Sequence, residues 1–180
     1  MQVDARVREH YELMWQTPGR VARFDILGAP MEVYKWPAES TGEGVALYAT
    51  NGASAVVAST GGVRVEFFVG LMPEFDDIVS SLSLLGSYPL QGGAASAGDT
   101  VTLGDPLWPG AATSTFLLVP QTDWLVEPLP LPDGSHVHFH QVLPISASEL
   151  ALKRQCGAIW LLAELNDEGI PTWQHQRRYL

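Results

Sequence analysis

The stretch that decides the fold is Leu47-Tyr48-Ala49-Thr50-Asn51-Gly52-Ala53-Ser54, followed closely by Val63-Arg64-Val65-Glu66-Phe67-Phe68-Val69. Both segments are rich in the β-branched and aromatic residues that pack well in a sheet. Asn-Gly between two apolar runs is typical of a tight hairpin, because both residues tolerate a positive φ. We therefore predict strands over 45–49 and 63–69, with a return strand over 54–58 after the Asn-Gly turn.

Helices are predicted on either side of this region. An apolar stripe at helical spacing predicts a helix over 4–15, and a second stripe from Phe75 to Leu85 predicts another, ended by Gly86. Ser146 and Glu149 form a capping box for a last helix that runs to Glu168. Its apolar side is predicted to hold these residues: Leu152, Cys156, Ile159, Ala163 and Leu165.

Further strands are predicted over 21–27, 31–36, 100–103, 115–119 and 136–143, separated by Pro and Gly turns. Strands and helices do not alternate regularly, so a wound parallel sheet is not expected. The predicted fold is α+β: a mainly antiparallel or mixed β-sheet flanked by helices. We expect a single domain over 1–180, with a loosely held tail over 172–180.

Charge is distributed unevenly along this acidic chain, whose net charge is −10. Between Arg64 and Lys153 there is no Lys or Arg. Such a surface repels nucleic acid and anionic membranes, and it attracts a basic protein partner. The acidic residues of the same stretch are Glu66, Glu74, Asp76, Asp77, Asp99, Asp105, Asp123, Glu127, Asp133 and Glu149.

Three histidines alternate in the predicted strand 136–143. The period of two places His136, His138 and His140 on one face, where imidazoles could hold a metal ion. Successive residues on that face are about 6–7 Å apart, so one ion could reach all three only if the strand were distorted. We favour a polar solvent face and keep metal binding as the alternative.

No catalytic constellation emerges from the remaining motifs. The nucleophile elbow, the dinucleotide fingerprint and the phosphate-binding loop are absent from the sequence. The single cysteine, Cys156, is predicted to be a small buried residue and not a nucleophile. We expect no catalytic residue, no cofactor and no enzyme activity.

The tryptophans divide into two groups. Trp15 and Trp160 lie in predicted helices and are expected in the core. The other four adjoin or lie near prolines or loops, where an exposed ring could anchor a partner, but for any one of them we prefer packing in the protein; they are Trp36, Trp108, Trp124 and Trp173.

Neither a secretory signal nor an apolar run long enough to span a bilayer is found in the sequence. The one cysteine also excludes an internal disulfide. We therefore expect a cytoplasmic protein.

Several segments in order resemble one known family, the suppressor-of-fused-like domain, over roughly residues 20–171. The stretch that opens this subsection looks like the first half of that domain. Three segments of this chain look like the middle of that domain: Gly98-Asp99-Thr100-Val101, Pro106-Leu107-Trp108-Pro109-Gly110 and Phe116-Leu117-Leu118-Val119-Pro120. Two later segments are similar to its end: Val137-His138-Phe139-His140-Gln141-Val142-Leu143-Pro144-Ile145 and Glu149-Leu150-Ala151-Leu152-Lys153.

The resemblance implies an α+β fold and a non-catalytic, protein-binding role. Short bacterial relatives resemble immunity proteins that neutralise a toxin, which implies a basic toxin domain as the partner. Two alternatives stay open: a regulatory or scaffold protein, and a metal-binding protein that uses the histidine row. The residues we expect at a partner interface are Glu74, Asp76, Asp77, Asp99, Asp105 and Trp108.

Overall fold

A computed structural model of the chain describes residues 3–57, 63–120 and 125–180. The helices are α1 Val3–Trp15, α2 Ala38–Thr41, α3 Ile78–Gly86, α4 Ala147–Cys156 and α5 Ala158–Asp167. The strands are β1 Arg20–Ile26, β2 Ala29–Trp36, β3 Ala46–Asn51, β4 Arg64–Leu71, β5 Thr100–Thr102, β6 Thr115–Leu118, β7 Leu129–Pro130 and β8 His136–Ile145.

The strands form one open sheet in the order β1-β2-β3-β4-β8-β6-β5, with β7 paired to the beginning of β8. β4 and β8 run parallel, and the other neighbouring pairs run antiparallel. This mixed sheet flanked by helices confirms the predicted α+β fold. β8 is the longest strand and joins the two halves of the sheet, because it pairs with β4 along its first half and with β6 along its second.

Helices cover both faces of the sheet. α3 packs on one face through Ile78, Leu82 and Leu85. α1 and α5 pack on the other face. Phe139 of β8 packs in a cluster with residues of α1, and Leu143 of β8 packs in a cluster with residues of α5. Because side chains alternate along a strand and these two residues are separated by an even number of positions, both lie on the same face of the sheet. The N-terminal helix was predicted correctly, and its buried residues are Val7, Tyr11 and Trp15.

The Asn51-Gly52 turn differs from the predicted hairpin. β3 continues to Asn51, a short 3₁₀ turn follows over Ala53–Ala55, and the strand that returns is β4. No strand forms over 54–57, and residue 58 lies outside the described residues. The reason is Glu66, which is completely buried. Its carboxylate accepts hydrogen bonds from backbone N–H groups of this turn, and these bonds hold the turn in its observed conformation.

Four hydrogen bonds hold the Glu66 carboxylate. The backbone N–H groups of Gly52 and Ser54 both donate to Oε1 at 2.9 Å, and the Ser54 hydroxyl donates to the same oxygen at 2.6 Å. The Thr50 hydroxyl donates to Oε2 at 2.5 Å. Burial raises the pKa of Glu66, and the four donors oppose that rise.

The last helix is divided in two, which corrects the prediction of one continuous helix. Gly157 has φ 92° and ψ 163°, a conformation that glycine adopts readily and that ends the hydrogen-bond ladder. The capping box of Ser146 and Glu149 is present as predicted. The break changes the buried face: Cys156 and Ile159 are exposed, whereas Leu161 and Leu165 are buried.

The C-terminal tail makes buried contacts with the rest of the domain, which the prediction of a loosely held tail did not anticipate. Arg177 donates to both carboxylate oxygens of Glu149, at 2.7 and 2.9 Å, and both side chains are almost fully buried. The Trp173 carbonyl accepts a hydrogen bond from the N–H of Met72. A buried charge is stable only with a partner, and here the tail supplies that partner to Glu149.

Replacing Glu66 should destabilise the protein by an amount that depends on the acceptors that remain. Glu66→Leu leaves four buried donors unsatisfied, so we expect a loss of about 4 kcal/mol in the free energy of unfolding. Glu66→Gln keeps one acceptor oxygen and should lose only about 1–2 kcal/mol. Urea unfolding followed by circular dichroism measures both, and equal losses would contradict the role given to the carboxylate.

The two arginines of the tail should differ sharply in their effect on stability. Arg177→Ala leaves the Glu149 carboxylate buried without a countercharge and should cost about 3–5 kcal/mol. Arg178→Ala removes an exposed pair with Glu168 and should cost less than about 1 kcal/mol. The same urea titration compares them, and a small effect of Arg177→Ala would argue against a firmly held tail.

Candidate partner-binding site

Three of the predicted interface residues lie together in the segment between β4 and α3. Glu74 and Asp76 share one ammonium group, because Lys35 Nζ lies 2.7 Å from Glu74 Oε2 and 2.5 Å from Asp76 Oδ1. The Lys35 side chain is only 10% exposed, while both carboxylates reach the surface. β2 therefore supplies the cation, and the segment before α3 supplies the acids.

Asp76 is also an anchor of the fold. Its carboxylate accepts a hydrogen bond from the Tyr48 hydroxyl at 2.9 Å, and the same hydroxyl accepts one from the Phe75 N–H. The Lys35 ammonium beside Asp76 lowers the pKa of that carboxyl group. Burial raises the pKa of Tyr48 to about 12, and its bond to Asp76 adds to the rise. Asp76 thus stays ionised and fixed in place.

Asp77 is the carboxylate of this group that remains available. It is exposed and forms none of the ion pairs found among the described residues. It precedes α3 without capping it through its side chain. Asp77 borders an open cleft of about 320 Å³ that Phe75, Trp108 and His175 also line.

Trp108 lies in the same cleft, but it is not the exposed anchor that we predicted. Only 9% of the residue is exposed. Its ring meets the edge of Phe75 at 5.3 Å between centroids, and His175 stacks on Phe75 at 3.7 Å. The tail therefore completes an aromatic cluster that buries Trp108, which could not be foreseen while the tail was taken as loose.

The other two predicted residues lie elsewhere. Asp99 is exposed before β5 and accepts a hydrogen bond from the Ser96 N–H at 3.0 Å. Asp105 is exposed in the connection from β5 to β6 and borders a different cleft with Leu84 and Tyr88. The structure thus brings Glu74, Asp76, Asp77 and Trp108 together, and it separates Asp99 and Asp105 from them.

The histidine row occupies one face of β8, as predicted, but it is not uniformly exposed. His136 is exposed, whereas His138 and His140 are partly buried beside Val65 and the loop over 94–97. Burial lowers the pKa of His140 to about 4, and repulsion from His138 contributes. Within the described ranges, no three His, Cys, Asp or Glu side chains are placed to hold a metal ion, so the metal alternative gains no support.

The structure gives the exposure of the other tryptophans. Trp36 is fully buried and donates to the Thr17 carbonyl, so its ring is not available to a partner. Trp160 is 41% exposed, although we expected it in the core. Trp15 is buried, as predicted, and Trp173 is exposed, while Trp124 lies outside the described residues. Gly157, between Cys156 and Ala158, was the signal that could have revealed the exposure of Trp160.

No helix in the described part of the chain is long and apolar enough to cross a membrane.

These features define a class: an α+β protein with a mixed sheet, helices on both faces and an exposed acidic segment beside an aromatic cleft. The family model of the suppressor of fused protein matches residues 27–178. The chain therefore belongs to the suppressor of fused family, which confirms the resemblance seen in the sequence. No curated protein sequence is significantly similar to it.

Solved structures have the same fold. A suppressor of fused homolog from Neisseria gonorrhoeae superposes with a TM-score of 0.68 at 19% identity, covering 98% of this chain and 95% of that one. A Sufu–Fu complex gives 0.64 at 14% identity, with 90% and 83% covered. Drosophila Suppressor of Fused gives 0.63 at 14% identity, covering 89% of this chain and 46% of the fly protein.

His140 should make the stability of the protein depend on pH. Its pKa is about 4 in the folded state and near 6.5 when unfolded, so the unfolded chain binds the additional proton between these values. Stability from this group is therefore lost as the pH falls from about 6.5 toward 4, by about 2 kcal/mol.

The variant His140→Gln should remove this loss, as measured by urea unfolding at pH 7 and pH 4.5. His136→Gln is the matched control on the exposed end of the strand and should leave the pH dependence as it is. If His140→Gln and the unchanged protein lose stability equally on acidification, the assignment to His140 is wrong.

Proposed function

We propose that this chain is a non-catalytic protein-binding module of the immunity type, which neutralises a basic toxin domain by covering its surface. The observation that carries protein binding is membership of the suppressor of fused family, in which one similar structure is the Sufu–Fu complex. The toxin is inferred from the charge of this chain and from its likeness to a compact bacterial homolog.

The acidic segment over 74–77 supports a basic partner. Glu74 and Asp76 share the single ammonium of Lys35, and Asp77 adds a third carboxylate that forms none of the ion pairs found among the described residues. No Lys or Arg lies between Arg64 and Lys153 in the sequence, while Arg20 interacts with Asp76 and Arg177 borders the cleft beside Asp77. A negative patch of this kind increases the rate of encounter with a positive surface and orients the partner as it arrives.

A toxin that acts on nucleic acid would carry such a positive surface, because it must neutralise phosphates. An inhibitor that is complementary to this surface prevents the nucleic acid from binding to the toxin, and it needs no catalytic activity to do so. Asp77 and the neighbouring cleft at Trp108 form the centre of the proposed interface. Asp99 and Asp105 would contribute to long-range attraction only, because they lie away from this centre.

A regulatory or scaffold role without a toxin is the second candidate, supported by the same family membership and by the Sufu–Fu complex. The two are distinguished by co-expression with the product of a toxin-like gene, if one lies beside the gene of this chain. Restored growth and a stoichiometric complex support immunity. Failure to rescue growth, with no complex formed, would leave the regulatory role as the better account.

Reversing the charge of Asp77 should weaken the complex with that toxin product. We expect Asp77→Lys to raise the dissociation constant about 10-fold or more at low salt, mainly through slower association, with less effect at high salt. Surface plasmon resonance at two ionic strengths measures both rates. Asp133→Lys, an exposed charge change in the turn before β8, is the control, and an equal effect of both variants would contradict the proposed site.

A further inference from the structure

Three polar side chains form a row across the first three strands. Arg23 of β1 lies opposite Glu32 of β2, and Glu32 lies opposite Asn51 of β3. Residues directly opposite on neighbouring strands point to the same face of the sheet, so these three side chains adjoin. Asp4 of α1 lies beside the row, because its carbonyl accepts a hydrogen bond from Asn51 Nδ2 at 3.1 Å.

The row borders an open cleft of about 260 Å³, which we call the α1 cleft. Its volume lies below the range of about 300–1,000 Å³ that is typical for drug-sized ligands, so a ligand of this cleft would be small. Polar side chains line it together with apolar ones: Asp4, Arg8, Arg23, Glu32 and Asn51, with Ala5, Phe24, Pro30 and Met31.

Glu32 is already satisfied by the protein. Its Oε1 accepts a hydrogen bond from Arg23 Nε at 3.0 Å. Its Oε2 accepts from the Tyr34 hydroxyl at 2.8 Å and from Asn51 Nδ2 at 3.3 Å. The Glu32 carboxylate therefore holds the row together, and a ligand does not need to satisfy it.

Asn51 is only half satisfied. The residue is 3% exposed, and its Nδ2 donates to the Asp4 carbonyl and to Glu32, two residues that line the α1 cleft. Its Oδ1 is buried and has no hydrogen-bond partner among the described residues. A buried acceptor without a donor is unfavourable. This acceptor points to a ligand that brings an N–H donor to the cleft.

Charges of both signs in the α1 cleft are left for a ligand. Within the described ranges, the Asp4 carboxylate and the Arg8 guanidinium take part in no ion pair. Arg8 interacts with the Tyr34 hydroxyl, which does not cancel its charge. Arg23 is 70% exposed and bonds Glu32 through Nε, which leaves its terminal nitrogens for another acceptor.

We propose that the α1 cleft binds a free α-amino acid with an apolar side chain. The ammonium group of the ligand donates to Asn51 Oδ1 and pairs with the Asp4 carboxylate. The carboxylate of the ligand accepts hydrogen bonds from Arg8 and Arg23, because a guanidinium group matches a planar carboxylate.

The walls of the α1 cleft favour this ligand over others. Phe24 and Pro30 give an apolar side chain a surface to pack against. A nucleotide or another polyanion is disfavoured, because Asp4 and Glu32 lie in the same cleft and repel it.

Calorimetric titration of the full chain with L-leucine, L-methionine and L-phenylalanine tests the proposal. At least one of them should bind with a dissociation constant below about 1 mM. Its amide, which lacks the carboxylate, and its N-acetyl derivative, which lacks the ammonium group, should each bind at least about 10-fold more weakly.

Two results of this titration would overturn the proposal. If none of the three binds at about 10 mM, Asn51 Oδ1 is satisfied by water alone. If either derivative binds as tightly as the parent amino acid, the cleft recognises a single charge and not a free amino acid.

Exposed charges of the α1 cleft can be changed with little risk to the fold. Arg8→Gln and Asp4→Asn should each raise the dissociation constant of the best amino acid at least about 10-fold. The matched control is Arg154→Gln, which removes an exposed guanidinium on α4. Equal affinities of the Arg8→Gln and Arg154→Gln variants would contradict the assignment of the cleft.

Nuclear magnetic resonance locates the ligand without any substitution. The side-chain amide resonances of Asn51 should shift as the amino acid is added, whereas those of Asn166 on α5, the one other asparagine in the chain, should stay in place. Binding that leaves the Asn51 resonances unmoved would place the ligand elsewhere and refute the proposal. None of these measurements uses a protein partner, so the toxin proposal can fail without affecting them.

Discussion

The buried carboxylate of Glu66 is the constraint on which the centre of this structure depends. A carboxyl group buried away from solvent needs hydrogen-bond partners, and the chain supplies donors from Thr50, Gly52 and Ser54. The Thr50 hydroxyl that donates to Glu66 also accepts from the Phe67 N–H. The Thr50 carbonyl accepts from the Tyr11 hydroxyl of α1. One side chain thus fixes the end of β3, the start of β4 and the position of the helix above them.

A second buried carboxylate plays the corresponding part at the other end of β8. Glu149 receives the backbone N–H of Ser146 and the guanidinium of Arg177, so it joins the start of α4 to the last residues of the chain. The tail then lies over Phe75 with His175 and completes the cluster around Trp108. The geometry of the acidic segment over 74–77 is therefore set partly from the C-terminus, a long way off in sequence.

The sequence predicted most elements and missed what depends on these two carboxylates. Local sequence patterns identified α1, the strands β1 and β2, β8 and the capping box. Asn51-Gly52 was interpreted as a tight turn because nothing local indicates that Glu66 would recruit its backbone. Likewise the tail looked loose because the partner of Arg177 is 28 residues away. The site could be predicted as far as its acidic residues, but the burial of Trp108 follows from tertiary contacts.

Net charge alone therefore says little about where this protein meets a partner. Of the acidic residues between Arg64 and Lys153, Glu66 and Glu149 are internal, while Glu74 and Asp76 hold Lys35. These four carboxylates stabilise the fold, and only those left over contribute freely to the outer field.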